Sequence, residues 1–249
     1  MRYLKTLRDL VIIELPSIGY MVVSCDSIGS VGPNPLDEVK VNGRIVGKFL
    51  ARVALMEVMS VNAQPIACAV TLSINQGSQV AEILDGVREE LSEAGVNLPE
   101  EAFIMSTEKN FKVSQTGVGI AIMGLARDLK TGKALRGDLL VAIGKPCVGI
   151  EVLDGEERDQ IADLKDLAKL MRKDYVHEVI PVGSKGIIHE ALTLARNSSL
   201  TLKLFDSPHI NLYKSAGPAT VLLAAIDELW FTELRENLNK PVNIVGKLL

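Results

Sequence analysis

The chain has 249 residues, 47% of them hydrophobic and only 4% aromatic, which suits an aliphatic core in one large α/β domain or two modest ones. Acidic residues outnumber basic ones 31 to 27, for a net charge of −4, and no run of Lys or Arg supplies the phosphate-neutralising stripe that duplex binding needs, so no nucleic-acid partner is expected. The longest apolar stretches, Gly117 to Ala126 and Ala219 to Ile226, reach about half the length of a membrane span, so no membrane association is expected either.

At the front, Arg2, Lys5 and Arg8 precede Val11, Ile12 and Ile13, but Glu14 and Pro16 cut that run far short of a signal sequence. Cys25, Cys68 and Cys147 lack CxxC spacing and read as buried thiols of a reducing, cytoplasmic compartment. Leu10 to Leu15 and Tyr20 to Cys25 form a pair of strands around Pro16 and Gly19, and Asp26 to Gly43 follows as a long loop of the kind that often carries function. From Arg44 to Val61 the pattern is helical, with Leu50, Val53, Ala54, Val58 and Val61 on one stripe and Arg44, Lys48 and Arg52 on a second, solvated one.

Strand Pro65 to Ile74, helix Gln79 to Ala94 closed by Gly95, and a strand near Phe103 come next. Gly117 to Ala126 and Leu139 to Ile143 read as buried strands joined by the turn Thr131 to Asp138. Rising Gly, Pro and acidic content at Gly144 to Gly155 marks a boundary, giving domains 1–147 and 148–249. The second part reads as helix Glu157 to Arg172, strand Tyr175 to Pro181, helix Ser184 to Asn197 and strand Leu200 to Phe205. Strand Ala219 to Ile226, helix Asp227 to Asn237 and strand Val242 to Val245 complete it. An α/β (α+β) architecture in two domains is the result.

Glu57 is the most informative single residue, because it falls four after Val53 and four before Val61 on the apolar stripe of its helix. A carboxylate there faces the interior or a cleft and needs a cation or donor; a stripe-edge residue pairing with Arg52 is the alternative. Asp26 ends a strand and opens the loop, a place where carboxylates meet ligands and also a common turn position. Asp9 and Glu108 occupy similar strand-end spots. Ser184, Lys185 and Gly186 open a helix after Val179 to Val182, where Ser184 can cap and free N–H groups with Lys185 can hold an anion. His177, His189 and His209 have no metal-ligand spacing, and Walker A, GxSxG and dinucleotide-loop patterns are absent from the sequence.

In order, these segments resemble the aminoimidazole ribonucleotide synthetase and thiamine-phosphate kinase superfamily, the PurM-like proteins. Val22 to Asp26 is similar to its TTD-like strand end, Gly47 to Glu57 to its glycine-to-SD spacing, and Val61 to Pro65 to the segment after it. Ser106-Thr107-Glu108 takes the place of GGD, Gly137 to Gly144 looks like GDxLxVTG, Ser184 to Glu190 like the SDGL helix start, and Pro241 to Gly246 like the closing strand. Asp9 matches the second acid of GDDA, whose first part is Leu7-Arg8 here.

The resemblance implies a PurM-like N-terminal ATP- and Mg²⁺-binding domain that forms a shared β-barrel in a homodimer, followed by a C-terminal α/β domain. It implies that Asp9, Asp26, Glu57 and Glu108 converge on Mg²⁺ and nucleotide phosphates, with Ser184, Lys185 and Gly186 contributing to nucleotide binding. Glu57, Asp26 and Lys185 are the catalytic candidates. The activity so implied is ATP-dependent transfer of the γ-phosphoryl group to a riboside or a phosphorylated small molecule, nearest to the α-ribazole kinases. The alternatives are a thiamine-phosphate kinase or a nucleotide-binding relative that has lost turnover.

Overall fold

The computed structural model describes residues 3–75, 77–205 and 209–249. The chain divides into two units, Met1–Leu129 and Lys130–Leu249.

The first unit contains β1 (Tyr3–Leu7), β2 (Leu10–Leu15), β3 (Gly19–Gly29), β4 (Val31–Gly32), β5 (Val39–Lys40) and α1 (Gly43–Ser60). It continues with β6 (Gln64–Ser73), α2 (Ser78–Glu93), β7 (Phe103–Thr107) and β8 (Gly117–Ala126). Its main sheet runs β1-β2-β3-β8-β6-β7. Helix α1 starts where the Asn42 side chain accepts from the Ile45 N–H at 3.0 Å, and it ends at Ser60, two residues before Asn62 takes a positive φ of 68°.

One face of the sheet is covered by α1. The Ser24 hydroxyl donates to Ala54 O at 2.8 Å, and Gly124 leaves room for Val58, since a Cβ at Gly124 would lie 2.5 Å from Val58 Cγ1. Above α1 lies α2, and the two helices touch backbone to backbone. A Cβ at Gly47 would meet Ile83 O at 1.9 Å, and one at Gly86 would meet Arg44 O at 2.0 Å. The arginine stripe is only partly solvated, because Arg52 faces α2, where it pairs with Glu90 and lies over the Phe49 ring. The stretch read as a loop after Asp26 starts later than expected, as β3 runs on to Gly29, and buried Asp37 pins it by accepting from Asn34 N, Thr116 N and Thr116 Oγ1.

The opposite face of this sheet is apolar and only partly covered within the chain. Strand register sets Val11, Val23, Met123 and Ala67 in one row across β2, β3, β8 and β6, with Ile13, Met21 and Leu125 in the next. All of these are half-buried or exposed, whereas their strand neighbours Ile12, Val22, Ile122 and Cys68 are buried on the α1 side.

The second unit contains β9 (Leu139–Gly144), α3 (Glu151–Glu157), α4 (Leu164–Met171), β10 (Val176–Pro181), α5 (Gly186–Asn197), β11 (Leu202–Leu204), β12 (Val221–Ile226), α6 (Phe231–Glu236) and β13 (Val242–Leu248). Its antiparallel sheet runs β10-β12-β9-β13-β11. Every residue of β9 and β12 is buried, which is why both read as unbroken apolar runs. Ile187, Ala191 and Leu194 of α5 pack with Leu140, Ala142, Leu223 and Ala225.

Three expectations change. Strands β8 and β9, read as joined by the turn Thr131 to Asp138, lie in different sheets, since β8 pairs with β3 and β6 while β9 pairs with β12 and β13. For the same reason the division falls at 129/130 rather than at 147/148. The helix expected over Glu157 to Arg172 starts only at Leu164, after α3 has ended at Glu157: Asp159 takes a positive φ of 56°, and Asp163 and Asp166 restart the chain with a reciprocal capping box.

Candidate functional site

Strand pairing builds the site in the first unit. Leu7 pairs with Leu10, so Arg8 and Asp9 form the tight β1–β2 turn, with Arg8 at a positive φ of 53°. Leu10 in turn pairs with Ser24, which brings the turn beside Asp26, two residues further along β3 and on the α1 side of the sheet. From above, the last turn of α1 supplies Glu57 and Ser60.

These groups sense one another. The Asp26 carboxyl is pushed up to about 6 by burial, with the charges of Asp9 and Glu57 adding to the rise and the Ser27 backbone N–H opposing it. Glu57 is buried as its helical spacing predicts, and the cation against it comes from the turn: Arg8 Nη2 lies 3.4 Å from Glu57 Oε2, with side-chain exposures of 6% and 10%. The same Nη2 donates to Ser60 Oγ at 3.3 Å. Sequence reasoning missed Arg8 because its partner sits in an element 49 residues away, and only the hairpin register connects them.

Glu108 stands apart from this group. It follows β7, and β8 and β6 lie between β7 and β3, so about three strand spacings, roughly 14 Å, separate it from Asp26 across the sheet. Its Oε1 accepts from Asn110 N at 2.6 Å and Phe111 N at 3.2 Å, and these backbone donors hold its carboxyl below the ordinary range.

In the second unit Ser184 and Lys185 are exposed and Gly186 is buried at a positive φ of 79°, where a Cβ would meet Leu212 O and Lys214 O at 2.9 Å. Ser184 does not cap the helix. Lys185 holds the position before α5, without a side-chain cap bond, and the Gly186 and Ile188 N–H groups donate to Gly183 O and Leu212 O. Two of the N–H groups at this helix start are therefore spoken for.

The carboxylates that this site offers a divalent ion are fewer than the resemblance implies. Among the described residues no group of three or more His, Cys, Asp or Glu is arranged to hold a metal ion. The charge of exposed Asp9 adds to the rise of half-buried Asp26, while Glu57 already faces Arg8. Mg²⁺ takes one or two carboxylates together with substrate phosphates, so the Asp9–Asp26 pair suffices. Among the described residues no helix is long and apolar enough to cross a membrane.

Comparison with known proteins agrees with this frame. The family model described as AIR synthase related protein, N-terminal domain, matches residues 8–121, which include Asp9, Asp26, Glu57 and Glu108. No curated protein sequence matches the chain. Among solved structures, AaThiL complexed with AMPPCP and TMP is 14% identical with a TM-score of 0.65, over 96% of this chain and 84% of that one. Thiamine-monophosphate kinase from Stenotrophomonas maltophilia is 16% identical with a TM-score of 0.64, over 99% and 88%. Hydrogenase maturation protein HypE in complex with ATP is 14% identical with a TM-score of 0.65, over 94% and 78%. The family match therefore covers most of the first unit, and the thiamine-monophosphate kinase and HypE structures share the fold of this chain along nearly its whole length.

Proposed function

We propose that this chain binds ATP and transfers its γ-phosphoryl group to a hydroxyl of a small riboside, with α-ribazole the first acceptor to try; the alternative acceptor is the phosphate group of thiamine phosphate. The carrying observation is the cluster of exposed Asp9, half-buried Asp26 and buried Glu57 formed by the β1–β2 turn, β3 and α1, in which burial first and the charges of Asp9 and Glu57 second raise Asp26. The structural neighbours crystallised with AMPPCP or ATP support the nucleotide part.

In this reading Asp9 and Asp26 hold Mg²⁺, which when bound neutralises charge on the nucleotide phosphates. In the first unit the hairpin fixes Asp9 beside Asp26 toward the nucleotide phosphates; in the second unit, taken by itself, Lys185 beside Ser184 and Gly186 offers a positive charge to an anionic ligand. In the transfer, the acceptor oxygen bonds to the γ-phosphorus, the bond from that phosphorus to the bridging oxygen of ADP breaks, and the hydroxyl proton leaves to solvent. A second copy of the chain covers the open apolar face of the first unit's sheet, giving a homodimer.

A second reading, nucleotide binding without turnover, is favoured by two observations: Arg8 occupies Glu57, and Glu108 lies well away from the other acids. Incubation with ATP and Mg²⁺ against α-ribazole and thiamine phosphate, following ADP and phosphorylated product, decides between them. Product formation that is lost in Asp26→Asn supports the kinase. ATP binding by calorimetry with no product from either acceptor supports the second reading, and absence of ATP binding overturns both.

A further inference from the structure

Arg8 is half used. Its side chain is nine-tenths buried, yet its contacts to Glu57 and Ser60 both come from Nη2, and the enclosed Nε and Nη1 have no hydrogen-bond partner. A structural arginine–carboxylate bridge normally engages two nitrogens as a fork, and a buried donor left unmade carries its full desolvation cost. Here a cation that cannot lose its proton is fixed against one carboxylate, with two donors in reserve. Arg8 on the turn meets Glu57 on α1, and the charge of Glu57 is in turn felt by Asp26 on β3.

We propose that Arg8 is the resident cation of this carboxylate cluster, holding Glu57 where a divalent ion would otherwise sit and keeping Nε and Nη1 for an oxyanion of the bound nucleotide. The second half rests on the nucleotide-binding reading above, whereas the first stands without it. A guanidinium against Glu57 repels a divalent ion from that carboxylate at every pH the protein survives, which confines such an ion to Asp9 and Asp26. Both free nitrogens are enclosed in the resting chain, so an oxyanion reaches them through a shift of the β1–β2 turn.

The first test uses Mn²⁺ alone on the nucleotide-free protein, read by paramagnetic relaxation of water and by thermal shift. Arg8→Met should bind Mn²⁺ at least about tenfold more tightly than the parent chain, and the gain should vanish in the double variant Arg8→Met/Glu57→Gln. Equal Mn²⁺ binding by the parent and by Arg8→Met overturns the proposal. Arg8→Lys keeps the charge and loses the fork, and it covers the case in which Arg8→Met does not fold: it should bind Mn²⁺ as the parent does, and tighter binding would count against the proposal. The second test is ATP binding in EDTA, where the parent should bind and Arg8→Lys should lose about tenfold. Unchanged affinity in Arg8→Lys overturns the oxyanion role. A parent chain that binds no ATP with or without Mg²⁺ overturns the functional reading and the oxyanion role together, while the Mn²⁺ comparison still decides the first half.

Discussion

The guanidinium of Arg52 lies 2.6 Å from the carboxylate of Glu90, joining the middle of α1 to the end of α2 with both side chains at most 3% exposed. A charge pair this deep contributes little net stability against an apolar replacement, yet removing one partner strands the other. Arg52→Met should therefore cost about 3 kcal/mol in urea unfolding, and Arg52→Met combined with Glu90→Leu should recover most of it. Equal losses in the single and double variants would show that packing over Phe49, not charge, carries the effect.

The reciprocal contact of Gly47 and Gly86 gives a second expectation. In an exposed helix Gly→Ala stabilises by about 1 kcal/mol. At this crossing a methyl group meets a carbonyl oxygen at about half the normal contact distance, so Gly47→Ala should instead destabilise by about 2 kcal/mol or more as the helices are forced apart. Thermal melts of Gly47→Ala and of a solvent-facing Gly→Ala elsewhere separate the two effects.

Much of this was legible before the structure. Period-3.6 spacing placed Glu57 inward, and the unbroken apolar runs of β9 and β12 announced strands, of which β9 was read as buried. What escaped depends on partners distant in sequence. Arg52 looked solvated because α2, which covers it, is visible only once the Gly47–Gly86 crossing is known. Gly47 itself was read only as the start of the glycine-to-SD spacing, whereas in the fold it is where α1 meets Ile83. Strand β1 and the Arg8 turn gave no signal because Arg8 adopts a left-handed conformation with none of the usual turn residues. Glu178 was unremarkable in sequence, and its buried carboxylate is satisfied by Lys133 N, Ala134 N, Thr131 Oγ1 and Ser198 Oγ.

Asp166 should make stability fall as pH rises through the weakly acidic range. Burial, followed by the charge of Asp163, pushes its carboxyl up to about 6 against the partial relief of Lys240. The folded state then holds a proton that the unfolded state has released above about pH 4, so the contribution is greatest near pH 4 and is lost by about pH 6.5. Asp166→Asn keeps an acceptor for the Asp163 N–H and removes the charge. Its stability relative to the parent should rise between pH 4 and 7, on the order of 1–2 kcal/mol, in urea midpoints taken at half-unit steps. A constant difference across that range would contradict the assignment.

Lys185 tests the second unit's part in ligand binding. The side chain is exposed and precedes α5 without capping it, so Lys185→Ala should leave the melting temperature within about 1 °C. If the ammonium meets an anionic group of nucleotide or acceptor, affinity for that ligand should fall about five- to tenfold at low salt and less at high salt. Identical calorimetric titrations for parent and variant would return Lys185 to the solvated surface.

The last expectation concerns the open face of the first unit's sheet. Val11, Val23, Met123 and Ala67 lie in one row, with Ile13, Met21 and Leu125 beside them, while the opposite face is sealed by α1. A continuous apolar surface on a sheet is unfavourable in water and marks an interface. Because the face belongs to every copy of the chain, two copies related by a twofold axis cover each other with one self-complementary patch. Met123→Lys places an ammonium at the middle of the row without touching α1, so the isolated unit loses no buried contact on its sealed side. The parent should sediment as a dimer at micromolar concentration and its melting temperature should rise with concentration. Met123→Lys should sediment as a monomer, with a melting temperature that is lower at high concentration and independent of concentration. A parent chain that is monomeric throughout, or a variant that remains dimeric, would place the interface elsewhere.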